Sequence, residues 1–280
     1  MTLPLFERIA GKRPPLFLCD HAANALPPSY GTLGLRPDLF ETHIAYDIGA
    51  AAVTRALAAA FGAPALLGAW SRLLIDLNRG PDDPTLVMKL SDGSIIPGNR
   101  HVDAAERARR IAQFHAPYHQ AIAEEIARLG SSSRARDSAL AAGQGGQPSP
   151  PSAVAGPRAR EGRRGRIESP AIVSMHSFTP VWKGEKRRWE VGILWDKDGR
   201  LARPLMARLA EAGFVVGDNE PYSGALDGDT LNRHGTQTGL PHVLIEIRQD
   251  LIGDAASARG FAARLEPVLA SALAECAGAD

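Results

Sequence analysis

Ala171-Ile172-Val173-Ser174-Met175 is a short, largely apolar run that stops at His176. Such a run, too brief for a helix and bounded by polar residues, reads as a strand covered on both faces. Working outward, runs of the same form recur along the chain. Leu16–Cys19 stops at Asp20-His21, and Arg72–Leu77 (RLLIDL) stops at Asn78-Arg79-Gly80-Pro81. Val191–Trp195 stops at Asp196, and Val243–Ile247 (VLIEI) stops near Arg248. Helical stretches fall between them, at about Ile48–Phe61, Ala104–Leu129, Arg203–Ala212 and Ala255–Cys276. Strand–helix alternation predicts an α/β fold: one three-layer domain with a mainly parallel, mixed sheet and helices on both sides. Ligands of such sheets sit outside the carboxyl ends of the strands. The polar residues here gather where the apolar runs end.

Composition narrows the function. The 280 residues suffice for one large domain, 44% of them are hydrophobic, and the formal net charge is +1. That balance supplies no field to hold nucleic acid or an anionic membrane. No window is long and apolar enough to span a bilayer, and the N-terminus lacks a signal-peptide pattern. Cys19 and Cys276 are too few to staple the chain, so the cytoplasm is the expected compartment. Residues 131–169 differ from the rest: rich in Ser, Gly, Pro, Ala and Arg, with seven Arg against three acidic residues. The stretch reads as a low-complexity, disordered insertion in a single domain spanning 1–280, or as a basic docking arm.

Two histidines, His21 and His176, each directly follow an apolar run, which predicts two imidazoles at one sheet edge. Zn²⁺ takes imidazole readily, and a catalytic site needs three protein ligands plus water. Asp47, in His43–Ala50 (HIAYDIGA), is the candidate third ligand; placed just before a helix, it reads equally as an N-cap. Asn24, three residues after His21, is a poor zinc ligand. Arg72 opens the RLLIDL run. Asn78 and Arg79 at its far end carry the amide and guanidinium donors that clamp a carboxylate, and Asp76 can orient one of them or a histidine. Glu246, inside an apolar run, is costly to bury unless paired or at work. Burial would raise its pKa toward that of a general base, while Arg248 on the same face offers it an ion pair. His115 and His119 have metal-like i, i+4 spacing without the HExxH glutamate. The loops Asn219–Gly224, with Tyr222, and Asn232–Gly235 are candidate substrate contacts. Nucleotide-binding glycine loops, the GxSxG elbow and CxxC are all missing.

Taken in order, CDHAANALP (19–27), HIAYDIGA, SRLLIDLNR (71–79), SMHSFTP (174–180), VGILWD (191–196), NEPYSG (219–224) and GLPHVLIEIRQDLI (239–252) resemble the N-formylglutamate amidohydrolase family. The resemblance covers about residues 14–130 and 170–255. It implies the phosphorylase/hydrolase-like fold shared with zinc carboxypeptidases, aspartoacylase and succinylglutamate desuccinylase. It also implies a histidine–acid–histidine zinc centre using His21 and His176, an Asn78–Arg79 clamp and Glu246 as base. Asn24 stands where the relatives' HxxE motif has an acid, so Asp47 is the expected third ligand. The implied reaction is hydrolysis of a small N-acyl amino acid, N-formyl-L-glutamate first, with Arg72 beside the oxyanion and Tyr222 near the substrate. The alternatives are a zinc amidase or carboxypeptidase on another N-acyl amino acid or short peptide, and a non-catalytic binding module on the same scaffold.

Overall fold

A computed structural model describes residues 4–143 and 170–278. In chain order the first half contains β1 (Phe6–Ile9), β2 (Leu16–Cys19), α1 (Ala50–Phe61), β3 (Ala65–Gly68), β4 (Leu90–Ser91), β5 (Ser94–Ile95), α2 (Ala104–Arg110) and α3 (Ala116–Gly143). The second contains β6 (Ile172–Phe178), β7 (Val181–Trp182), β8 (Glu185–Lys186), β9 (Val191–Leu194), α4 (Ala202–Glu211), β10 (Val216–Asp218), α5 (Thr230–His234), β11 (His242–Arg248) and α6 (Ala255–Cys276). Seven strands form one sheet in the order β1-β3-β2-β6-β11-β9-β10. β3, β2, β6 and β11 run parallel. β9 and β10 run together but antiparallel to β11, and β1 closes the far edge antiparallel to β3. The fold is therefore the mixed, mainly parallel α/β sheet that the alternation predicts.

Side chains alternate across a strand, so each face of the sheet can be followed by parity. Phe17, Val173, Met175, Val243, Ile245 and Ile247 meet Val53 and Leu57 of α1, Leu205 and Leu209 of α4, and Phe261, Leu265 and Leu269 of α6. Leu16, Leu18, Ile172 and Leu244, of opposite parity, meet Tyr118 and Ile122 of α3 and the segment Leu74–Leu77. Each such buried side chain contributes about 1.5–3 kcal/mol through removal from water. Continued along β2, β6 and β11, the second parity reaches Asp20, His176 and Glu246. One face thus turns from hydrocarbon to polar groups toward the carboxyl ends of the parallel strands. That turn locates the site.

Arg72–Leu77 is not a strand. It is a buried, irregular segment whose backbone groups are satisfied from afar. The Nδ2 of Asn99 donates to the Leu73 carbonyl at 2.7 Å, and Arg110 donates to the Leu74 carbonyl at 2.8 Å. The Asp76 N–H donates to the Leu86 carbonyl at 2.8 Å. An apolar run buried this way has the composition of a sheet strand, and the distant side chains that replace the ladder leave no local sequence mark. The helix expected over Ala104–Leu129 is also divided. α2 ends at Arg110, a π-helical turn covers Ile111–His115, and α3 continues past Pro117, whose missing N–H follows the widened turn. α3 extends to Gly143, so helix covers the start of the 131–169 stretch. Residues 144–169, and the choice between insertion and docking arm there, lie outside the described residues. Among the described residues no helix is long and apolar enough to cross a membrane.

Candidate active site

His176 is the fifth residue of β6 rather than the residue beyond its end, because the strand runs on to Phe178. His21 lies just past β2, whose neighbour in the sheet is β6. This adjacency brings the two rings edge to face, with centroids 5.0 Å apart. Asp47 arrives from the turn into α1. The N-cap of that helix is Gly49 at φ 81°, and no side chain caps it. A Cβ on Gly49 would lie 2.2 Å from the Ile252 carbonyl oxygen, so only glycine fits this left-handed, closely packed position. The Asp47 carboxylate is therefore not used as a cap, and it faces the histidines instead. Its backbone N–H donates to the His21 carbonyl at 2.9 Å, which ties the turn to the end of β2.

The Nδ1 atoms of His21 and His176 lie 3.3 and 2.8 Å from the same Asp47 oxygen, Oδ2. Their Nε2 atoms are held from behind. His21 Nε2–H donates to Asp76 Oδ1 at 2.6 Å. His176 Nε2 lies 3.1 Å from Ser174 Oγ and 3.5 Å from Asp20 Oδ2. With Nε2 carrying the proton, each neutral ring presents its Nδ1 lone pair to a carboxylate oxygen. Acceptors facing one another in this way are relieved either by a proton on each Nδ1 or by a cation between them. A carboxylate behind a histidine, as Asp76 stands behind His21, is the arrangement that orients histidine ligands in metal sites. One ligand atom each from His21, Asp47 and His176 all lie within 4.8 Å of one another, a group able to hold a metal ion. Two imidazole nitrogens and a carboxylate are a zinc-type donor set. Asn24 is not part of it; its amide donates to the Phe40 carbonyl at 2.9 Å and pins a loop.

The site is rich in negative charge. Asp20, Asp47, Asp76 and Glu246 are all buried. Arg72 spans two of them, 2.7 Å from Asp76 Oδ2 and 3.5 Å from Asp47 Oδ1. Burial opposes the charged imidazole of His176, but the Asp20 and Asp47 carboxylates outweigh it and hold the pKa well above the histidine range. His21 is likewise raised: burial and Arg72 oppose its charge, while Asp76 and Asp47 favour it. Burial would raise the Asp47 and Asp76 carboxyls, yet the histidines at Asp47, and Arg72 with His21 at Asp76, depress them strongly. Protons on the imidazoles and a divalent cation between them are alternative answers to one excess of negative charge.

Glu246 stands opposite His176 in the β6–β11 register. Its Oε2 is buried without a hydrogen-bond partner. Burial, only partly offset by His176, raises its pKa to about 7. The Arg248 pairing considered from sequence is not made, since Arg248 bonds Asp250 at 2.7 Å. On the neighbouring strand Gly192 is the register partner of Glu246, and a Cβ there would meet the Glu220 carbonyl oxygen at 2.1 Å.

A cleft of about 330 Å³, the size of a small-molecule site, opens over this group and is lined by the triad, Glu246, Arg72, Asn78, Arg79 and Tyr222. Asn78 Oδ1 accepts from the Thr230 N–H at 3.1 Å, which leaves its amide N–H groups for a ligand. Arg79 reaches no closer than 4.0 Å to Asp83. Tyr222 stands at the mouth, 43% exposed, with its hydroxyl accepting from Arg187 at 3.0 Å. Of the loops named from sequence, Tyr222–Gly224 and Asn232 line the cleft. His115 and His119 are not in the metal group; they lie under the Leu77–Arg79 backbone, His119 beside His234. Sequence reasoning passed over Asp229, a cleft carboxyl that burial raises to about 6, and the supporting roles of Asp20 and Ser174. Asp20 carried a local signal, since it adjoins His21. Ser174, inside a strand, carried none.

The sequence matches the N-formylglutamate amidohydrolase family over residues 13–136 and 158–253. No curated protein matches the chain. Among solved structures, the gene product Atu2144 from Agrobacterium tumefaciens is 35% identical, with 96% of this chain and 94% of that one covered and a TM-score of 0.78. N-formylglutamate amidohydrolase from Ralstonia eutropha JMP134 shares the fold at 20% identity and a TM-score of 0.59, over 98% of this chain and 97% of its own. With motifs, sheet and site in agreement over most of its length, the chain belongs to the N-formylglutamate amidohydrolase family.

Proposed function

We propose that this protein hydrolyses the amide bond of a small N-acyl amino acid, with N-formyl-L-glutamate as the first substrate to test, and that it does so with Zn²⁺ held by His21, Asp47 and His176. The observation that carries the reading is a single atom. Glu246 Oε2, buried and unpartnered beside two imidazoles whose Nδ1 atoms converge on Asp47, is a base without an assigned proton. A divalent ion bound at the triad supplies positive charge that acidifies water and polarises a carbonyl.

The chain's own groups do the rest. Glu246, with a pKa of about 7, takes a proton from the attacking water as its oxygen bonds to the acyl carbon. It then delivers that proton to the amide nitrogen as the C–N bond breaks, which releases a carboxylic acid and an amino acid. Arg72, kept charged by Asp76 and Asp47, faces the oxygen that gains negative charge. Arg79 and the free amide hydrogens of Asn78 grip the substrate carboxylate, and Tyr222 closes on it from the mouth. Two measurements test the reading together: metal content of the purified protein before and after chelation, and hydrolysis of a panel of N-acyl amino acids. The expected results are about one zinc per chain and chelator-sensitive release of the acyl group. Absence of stoichiometric metal, or no hydrolysis across the panel with zinc present, rejects it.

A further inference from the structure

Three buried histidines outside the metal group, His115, His119 and His234, lie directly under the segment that carries Asn78 and Arg79. His119 Nε2 is 3.0 Å from the Leu77 carbonyl, and His115 Nε2 is 2.9 Å from the Arg79 carbonyl. A carbonyl can only accept, so both Nε2 atoms carry hydrogen. The Nδ1 of a neutral His119 must then accept, and it lies 2.9 Å from His234 Nε2, which is its donor. The rings of His119 and His234 are nearly parallel, 12° apart with centroids at 5.2 Å, as an in-plane hydrogen bond between them requires, and the centroids of His115 and His119 are 4.2 Å apart. From the other side Thr230 donates its N–H to Asn78 Oδ1 and its hydroxyl to the Leu77 carbonyl. Arg79 is thus held at its own carbonyl, and Asn78 at its side-chain oxygen and at the carbonyl of its neighbour Leu77. This matters because the segment has no strand ladder to fix it.

We infer that His119, oriented by His234 and assisted by His115, is a positioning residue that fixes the Leu77–Arg79 backbone so that Asn78 and Arg79 point into the cleft. The shelf is a device of neutral donors. A second proton on His119 would turn Nδ1–H against the Nε2–H of His234 and break the chain. Burial keeps that proton away, lowering His119 to about 2 and His234 to about 4.

The inference rests on the proposed clamp role of Arg79, and the test separates the two. The holoenzyme and its Arg79→Ala, His119→Ala, His119→Gln and Arg79→Ala/His119→Ala variants are compared for kcat, KM and zinc content. His119→Ala is expected to raise KM about tenfold or more, with kcat within about threefold and zinc retained. His119→Gln, which keeps a donor near the Nε2 position, is expected to recover most of the lost affinity. In the Arg79→Ala background His119→Ala should add clearly less than it does alone, because the guanidinium it positions is already gone and only Asn78 remains to be disturbed. An unchanged KM for Arg79→Ala overturns the clamp itself. A raised KM for Arg79→Ala with an unchanged KM for His119→Ala, or fully multiplicative effects in the double variant, overturns the positioning role.

Discussion

Glu246 and His176 sit opposite each other in register on the parallel strands β11 and β6, both within the strands rather than on loops. A proton acceptor and a metal-type donor are therefore spaced by the sheet itself, whose backbone hydrogen bonds fix side chains more firmly than a loop can. Glu246→Gln keeps the shape of this pair and removes the acceptor. The variant should bind zinc as the wild type does while turnover falls about 100-fold or more. Parallel metal analysis and steady-state kinetics check this, and near-normal turnover removes Glu246 from the base role.

Asp76 holds His21 Nε2–H at 2.6 Å and Arg72 at 2.7 Å, so one carboxylate fixes both a tautomer and a cation. Asp76→Asn offers an amide that can present N–H to the ring and weakens the grip on Arg72. Zinc affinity should fall about 10- to 100-fold, the usual effect of losing such a support. Competition against a chelator of known affinity measures it; unaltered affinity would show that packing alone orients His21.

The strands Leu16–Cys19 and Val243–Ile247 were legible because a run covered on both faces must be apolar throughout, and His21 and Glu246 were legible as polar departures from those runs. Arg72–Leu77 has the same composition and was misassigned, since its hydrogen-bond partners Asn99 and Arg110 are remote in sequence. Asp47 could not be separated from an N-cap by position alone. What separates them is the conformation of Gly49, two residues on, and the nearby Ile252 carbonyl. The strand β3 escaped because no polar residue separates it from the Ala-rich end of α1, and β10 because three residues leave too little pattern to register.

Gly49 gives a test of that turn. Alanine there must adopt φ 81° and would put a Cβ 2.2 Å from the Ile252 carbonyl oxygen. The strain expected of a side chain in such a conformation is about 1–3 kcal/mol, and relief by shifting the turn would carry Asp47 away from the histidines. Gly49→Ala should lower the denaturant midpoint and weaken zinc binding together. Loss of stability with full zinc affinity would mean that Asp47 is placed by other contacts.

The histidine shelf also makes a prediction about acid. An unfolded histidine titrates near 6.5, whereas in the folded protein burial lowers His119 to about 2 and His234 to about 4. Below about pH 6.5 the unfolded chain takes up protons that the folded shelf refuses, so the shelf's contribution to stability is complete above that pH and is lost on acidification. Each refused proton steepens the fall by up to about 1.4 kcal/mol per pH unit, from pH 6.5 down to the folded value. His119→Gln removes the deepest of these groups and should flatten the decline between pH 6.5 and about 4. Denaturant unfolding of both proteins, stripped of metal so that the acid response of the triad is common to both, measures the difference in slope. Equal slopes would mean that His119 is protonated in the folded protein, and the directed hydrogen bonds from His234 to His119 to the Leu77 carbonyl could not then be as described.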